Sequence, residues 1–476
     1  VKGRTTLLFS QYYLECLSQA SYLIADEASR RAVLVDPRRD IAEYLADAEA
    51  RGLTIEGVVN THFHADFAAG HLEVAAATGA WIGYGRRADT EYPIRPLADG
   101  ERISLGDVTL QIMETPGHTP ESISVLVYEH ATDAVPYGVL TGDALFIGDV
   151  GRPDLLASLG VTATELGRML YDSVQRKLMS LPDEVRVFPA HGAGSACGKN
   201  LSTERSSTIG DQRRANYACA PMSEEQFLAL VTGGQPSAPG YFVFDAVLNR
   251  KDHPVFDPTT APRPLTTAEF LTARADGAVV VDTRDPQEFA AGHMRGSLNV
   301  PADGRFAETV GMVVEPGRTV LVIAAPGREE EVAVRLARIG FDQVTGYLRE
   351  PENAFREVAD GAVPDQVVPA SRITTGQLRD ALARTPEQGG APVVLDVRNA
   401  GERALGAIDG SLHIPLAELT RRLAEVPADR PVVVHCAGGY RSSVAASALR
   451  AAGHQDVSDL LGGYTAWAQP LTPATA

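Results

Sequence analysis

The chain has 476 residues, 44% of them apolar and 22% charged, a length suited to about three domains at roughly 150 residues each. Its formal net charge of -18 argues against nucleic acid as a partner, because gripping a phosphate backbone needs a basic surface that releases counterions. The longest apolar runs are strand-sized, short of the roughly 18 residues that span a bilayer, and the opening VKGRTTLLFSQYYLE shows no signal-peptide core, so the expectation is a cytoplasmic protein without a membrane partner. In chain order, AVLVDP (32–37) and IEGVVNTH (55–62) read as buried strands that deliver polar residues at their C-terminal ends. IAEYLADAEARG between them has helical spacing and a glycine stop at Gly52. VTLQIMETPGH (108–118), SISVLVYE (122–129), GVLTGDALF (138–146) and VRVFPAHG (185–192) continue the strand series.

Composition then shifts. Residues 231–264 are rich in Pro, Gly and Thr and read as a connector, with Tyr241, Phe242 and Phe244 available to pin it to a domain surface. Beyond it lies an internal repeat: residues 265–301 match 373–415 in a helix, a buried strand ending in D-x-R, an acidic residue four places after that Arg, and G-S-L-x-x-P. A repeat of about 100 residues is too long for a solenoid unit and suits a duplicated α/β domain. The predicted division is 1–230, a connector at 231–264, then 265–362 and 367–471.

Thr61-His62-Phe63-His64-Ala65-Asp66-Phe67 spells the H-x-H-x-D-H metal motif of metallohydrolases with its last His replaced by a phenyl ring. That His serves the second of two metals, and Phe67 cannot ligate, so the motif predicts one ion with open positions. Further candidate ligands fall at successive strand ends and loops: His118 in TPGHTP, Asp143 in TGDALF and His191 in PAHGAG. If the substrates are anions, arginines must offset the global charge; Arg38, Arg39, Arg152, Arg213 and Arg214 are the candidates, although each alone reads as a surface charge.

The four cysteines, Cys16, Cys197, Cys219 and Cys436, form no C-x-x-C pair and read as free thiols. Cys436 opens the string Cys436-Ala437-Gly438-Gly439-Tyr440-Arg441-Ser442 between the strand PVVV and the helix SSVAASALRAAG. Backbone N–H groups at such a helix N-terminus favour a thiolate or persulfide anion, and Gly438 and Gly439 let the chain curl around the sulfur. Arg441 offers a forked pair of donors to a sulfite or thiosulfate oxyanion. In the first copy of the repeat the position of Cys436 falls on Ile323, Ala324 or Ala325, and no cysteine occurs in that domain. Cys197, in HGAGSACGK, either lines a persulfide entrance and exchanges sulfane sulfur or is a small loop residue without chemistry; Cys16 and Cys219 read as packing residues.

On these motifs, residues 5–230 resemble the metallo-β-lactamase superfamily and, within it, the persulfide dioxygenases. Residues 370–470 resemble a rhodanese, the loop from Cys436 to Arg441 having the sulfurtransferase length rather than the longer phosphatase one. The middle copy resembles a rhodanese without its nucleophile. The resemblance implies an α/β architecture: an αββα sandwich followed by two rhodanese-like domains with parallel sheets. It further implies one Fe(II) on His62, His118 and Asp143, no nucleotide cofactor, and His64, Asp66, His191, Arg152 and Cys197 as surrounding or pocket residues. Two imidazoles and a carboxylate on one face of the ion leave positions open, as in non-haem oxygenases. The implied reaction is oxidation of a glutathione- or coenzyme A-type persulfide by O₂ to sulfite, coupled through a Cys436 persulfide to the making or use of thiosulfate. A zinc thioester hydrolase of the glyoxalase II kind and a non-enzymatic sulfur carrier are the alternatives. Oligomeric state is left open, a homo-oligomer included.

Overall fold

The computed structural model describes residues 6–155, 160–361, 364–385 and 390–469. The outer limits expected at 1, 362 and 471 lie outside the described residues. The chain divides into two compact units, residues 1–258 with 337–340 and residues 259–336 with 341–476.

The first unit contains two six-stranded sheets. One has the order β1 (Leu7–Leu14), β2 (Gln19–Asp26), β3 (Arg31–Val35), β4 (Thr54–Val59), β5 (Trp81–Gly85), β6 (Arg95–Leu97). The other runs from β7 (Arg102–Ser104) through β8 (Thr109–Glu114), β9 (Ile123–Tyr128), β10 (Gly138–Gly142) and β11 (Arg186–Pro189) to β12 (Ser207–Thr208). Strand alternation explains the layering. Tyr22, Ile24, Val33 and Val35 from the first sheet meet Leu110, Ile112, Val125 and Val127 from the second in one core. The opposite faces carry helices: Leu23, Ala25 and Leu34 pack under Tyr44, Ala48 and Val74, while Leu126 and Val187 pack under Leu170, Ile209 and Phe227. This is the expected αββα sandwich.

The segment expected as a connector behaves differently. Its first part belongs to the first unit, which extends to residue 258 and includes a helix over Phe242–Leu248. Tyr241 and Phe242 are buried and Phe244 half-buried.

The second unit repeats one design twice. Its two five-stranded parallel sheets share an order, 263–265, 344–348, 320–323, 279–282, 298–299 in one and 371–373, 457–460, 432–435, 393–396, 412–413 in the other. Each copy opens with a reciprocal capping box, Thr266 with Glu269 and Thr374 with Gln377, which satisfies backbone donors at the helix start. The D-x-R arginines fold back alike: Arg284 binds Asp282 and the Gly292 carbonyl, as Arg398 binds Asp396 and that of Gly406. Register settles the missing nucleophile. Asp282 pairs with Ile323 as Asp396 pairs with His435, so the residue standing where Cys436 stands is Ala324.

Candidate metal centre and sulfur site

Four strand ends of the first unit converge. Beyond β4 come His62, His64 and Asp66; His118 follows β8, Asp143 follows β10 and His191 follows β11. Gly142, in the left-handed region at φ 51°, lets the chain turn toward Asp143, where a Cβ would sit 2.6 Å from Thr61 Oγ1.

His62, His118 and Asp143 are buried, and one ligand atom from each lies within 4.8 Å of the others. His62 Nε2 is 3.8 Å and His118 Nε2 3.5 Å from Asp143 Oδ2. Neither His62 Nε2 nor Asp143 Oδ2 has a hydrogen-bond partner, an arrangement that burial penalises unless a cation is bound there. Surrounding bonds aim these atoms. Thr61 Oγ1 lies 2.9 Å from His62 Nδ1, the Arg152 carbonyl accepts from His118 Nδ1 at 2.9 Å, and His191 Nδ1 lies 2.8 Å from Asp143 Oδ1. Burial, reinforced by neighbouring imidazoles, pushes His62 well below the ordinary histidine pKa, and burial lowers His118 as well. Burial would raise Asp143, yet His191 and His62 outweigh it and hold the carboxyl below its usual range. Two neutral imidazoles and one carboxylate fit a divalent ion.

The other expected pocket residues separate. His64 turns its Nε2 to Asp36 Oδ1 at 2.9 Å, and Asp36 also takes the N–H and hydroxyl of Thr61; the His64 ring lies 4.3 Å from that of Phe67. His191 stands between Asp143 and Asp66; burial alone would lower its pKa, but the two carboxylates raise it well above the usual value. Arg152 touches the site only through its carbonyl: its guanidinium grips Asp154 and the carbonyls of Ala196 and Pro236. Arg38, Arg39, Arg213 and Arg214 are likewise paired, with Glu43, Glu73, Asp183 and Asp211, so none of the five arginines presents a free guanidinium to an anion. Cys197 is buried beside Asp66 and His191, and Cys219 packs in the core under the second sheet.

Sequence reading missed what holds the metal loop. Asn249 Nδ2 donates to the carbonyls of His64 and Phe67 at 2.8 and 2.9 Å, and its Oδ1 accepts from Ala69 N–H at 2.8 Å. Tyr241 hydroxyl donates to the Asp66 carbonyl. Both residues come from the supposed connector, and Tyr241 was among the anchors its sequence offered.

In the second unit, Cys436 follows the strand Val432–His435 and precedes the helix Tyr440–Ala451. Gly439, at φ 112°, turns its N–H onto Cys436 Sγ at 3.1 Å, and Ser442 Oγ lies 3.6 Å from the sulfur. The carbonyls of Cys436 and Ala437 accept from the N–H groups of Tyr464 and Thr465. That outer support needs Gly463, since a Cβ there would lie 2.4 Å from the Cys436 carbonyl. The fork of Arg441 is engaged by both oxygens of Glu402 at 2.7 and 2.6 Å rather than open to an oxyanion. Burial would raise Glu402, but Arg441 lowers it. Tyr440 donates to the carbonyl of Pro301, in the cysteine-free copy. All four cysteines are free, and among the described residues no helix is long and apolar enough to cross a membrane.

Comparison with known proteins gives the family. The Metallo-beta-lactamase superfamily profile matches residues 14–191, and the Rhodanese-like domain profile matches 266–349 and 375–470. The human mitochondrial persulfide dioxygenase ETHE1 is 31% identical over 187 residues, 39% of this chain and 68% of that protein. A hydroxyacylglutathione hydrolase of Rhodospirillum rubrum is 34% identical over 36% of this chain and 60% of its own length. The chain spans about half the length of the beta-lactamase hydrolase-like protein of Xylella fastidiosa, which it also matches. Among solved structures, a metallo-beta-lactamase from Staphylococcus aureus subsp. aureus COL aligns at TM-score 0.65 and 32% identity, covering 72% of this chain and 98% of that one. The chain thus belongs to the metallo-beta-lactamase superfamily, as a homologue of the persulfide dioxygenases that carries two rhodanese-like domains C-terminal to its metallo-beta-lactamase domain.

Proposed function

We propose that the protein oxidises a low-molecular-weight thiol persulfide to sulfite with O₂ at a single Fe(II), and that Cys436 carries sulfane sulfur between sulfite and thiosulfate. The observation that carries this reading is the triad of His62, His118 and Asp143, whose ligand atoms lie within 4.8 Å of one another with His62 Nε2 and Asp143 Oδ2 buried and unpartnered, while Phe67 stands where the usual motif has a further imidazole. An iron(II) held there would supply open positions and a redox step that zinc lacks. Thr61 and the Arg152 carbonyl fix which nitrogens of His62 and His118 face the centre. His191 holds Asp143 from behind. At the second centre, Gly439 N–H is placed to stabilise negative charge on the Cys436 sulfur, and Ser442 is placed beside it. The sulfur passes by displacement: the nucleophilic oxidation product sulfite attacks the outer sulfur of the Cys436 persulfide, thiosulfate leaves with that sulfur, and Cys436 departs as the thiolate. Cys197, buried beside the first centre, has its thiol pKa pushed up by burial and the nearby Asp66, so it stays protonated unless something displaces that proton.

The test is oxygen uptake on adding glutathione persulfide or coenzyme A persulfide, with products analysed. His62→Ala should lose oxygen uptake. Cys436→Ser should keep it and yield sulfite in place of thiosulfate. Stoichiometric zinc after anaerobic purification, with thioesterase activity, would establish the glyoxalase-type alternative instead. Absence of oxygen uptake by the iron-loaded parent would leave a sulfur carrier.

A further inference from the structure

We propose that Asn299, in the copy without a cysteine, is a positioning residue for Cys436, acting through Ser443 on the turn that faces the sulfur. The proposal rests on the reading of Cys436 as a sulfur carrier and gives the cysteine-free copy a part in that step.

The two copies differ at a position that strand register fixes. Asn299 pairs with Asp282 as His413 pairs with Asp396, so the two residues stand at the same place in the repeat. They share one duty. Asn299 Nδ2 donates to the Arg284 carbonyl at 3.0 Å, and His413 Nε2 lies 2.8 Å from the carbonyl of Arg398. The amide also carries an oxygen, which accepts from Ser443 Oγ at 2.6 Å, while the Asn299 backbone N–H donates to Ser447 Oγ at 2.9 Å. Ser443 and Ser447 share a face of the helix Tyr440–Ala451 with Tyr440, whose hydroxyl donates to the Pro301 carbonyl at 3.1 Å. Three bonds thus join the start of the helix behind Cys436 to residues 299–301 of the other copy.

Asn299 is fully buried and Ser443 nearly so, which makes an unmet partner costly at either end. The receiving segment is anchored from another side too, since Arg335 donates to the carbonyls of Ala302 and Gly304. From Ser443 the link to the sulfur is short. Ser443 N–H donates to the Gly439 carbonyl at 3.4 Å, Ser442 Oγ donates to the same carbonyl at 3.1 Å, and Gly439 N–H is the donor to Cys436 Sγ. Gly439 has no side chain to fix its left-handed turn, so the geometry there depends on what holds the helix start. The step served is a displacement. The Cys436 thiolate attacks the outer sulfur of thiosulfate, the sulfur–sulfur bond breaks, and sulfite departs with the electron pair, leaving a persulfide on Cys436. A loosened turn presents its N–H to that sulfur less often.

Rapid mixing of the full chain with thiosulfate tests this, because the amplitude of sulfite release counts competent sites while its rate constant reports the displacement. Asn299→Ala and Ser443→Ala should each slow the release about fivefold at the parental amplitude, the worth of one net hydrogen bond. The double variant should be no slower than either single one, since both remove the same bond. If Asn299→Ala does not fold, Ser443→Ala, which removes one buried hydroxyl, carries the test. A lower amplitude at the parental rate would make the bond merely structural and overturn the proposal, as would parental rates or losses that multiply in the double variant. A parent that releases no sulfite, or a release that survives Cys436→Ser, would instead overturn the sulfur-carrier reading and this proposal with it.

Discussion

Asn249→Ala removes the side chain that ties residues 64–69 to the helix Phe242–Leu248 and the turn after it. Asn249 is fully buried, so the carbonyls of His64 and Phe67 and the amide of Ala69 would lose their partner away from bulk water. Each buried group left unmet costs about 1–3 kcal/mol; taking the lower end, because water enters the small void, gives about 3 kcal/mol in all. With a urea slope of about 3 kcal/mol per molar for a unit this large, the unfolding midpoint should fall by about 1 M. The chain has two tryptophans, Trp81 in the first unit and Trp467 in the second. In a Trp467→Phe background, Trp81 fluorescence therefore follows the first unit by itself. Metal content after purification should fall with stability, because the tethered loop leads directly from His62. A midpoint shift below about 0.2 M, with metal content unchanged, would refute the idea that this former connector residue holds the metal loop.

Glu402→Gln should lower the apparent KM for thiosulfate by about fivefold, close to the ~1 kcal/mol of a partly exposed ion pair, since Arg441 no longer answers to a competing carboxylate; steady-state sulfurtransferase assays check this, and an unchanged or higher KM counts against it. His71 is pushed down to about 3 by burial and nearby positive charge, below its ordinary value near 6.5. As pH falls from about 6.5 toward 3 the unfolded chain binds a proton that the folded one refuses, so stability drops by about 1.4 kcal/mol per pH unit in that window. His71→Leu should flatten this part of the stability profile measured by urea melts, and a slope equal to the parent's would contradict it.

The parts legible from sequence were those whose chemistry is local. His62, His118, Asp143 and Cys436 each sit in a short string whose residue types declare both backbone geometry and reactivity, and the duplicated D-x-R strands announce themselves by pairing alike. Long-range polar anchoring was not legible. Nothing near Asn249 indicates that its amide reaches His64 and Phe67, and Pro- and Gly-rich surroundings argue for a loop. Asp36 was legible only as a polar residue at a strand end, and that its carboxylate holds both Thr61 and His64 required the fold. The acidic residue four places after Arg398 was visible as a repeat feature. Its grip on Arg441, 39 positions away, required the fold. Likewise only strand register chooses Ala324 among three adjacent candidates.

Asp143 has two oxygens with different obligations. Oδ1 is engaged by His191, whereas Oδ2 faces His62 and His118. A carboxylate tethered in this way cannot rotate to offer both oxygens to one ion without surrendering its bond to His191. With an ion on the triad, this tether would fix the denticity of Asp143, and the capacity left for outside molecules would be governed by His191. Loosening His191 would then change how many small molecules such a centre could accept, even with His62, His118 and Asp143 intact.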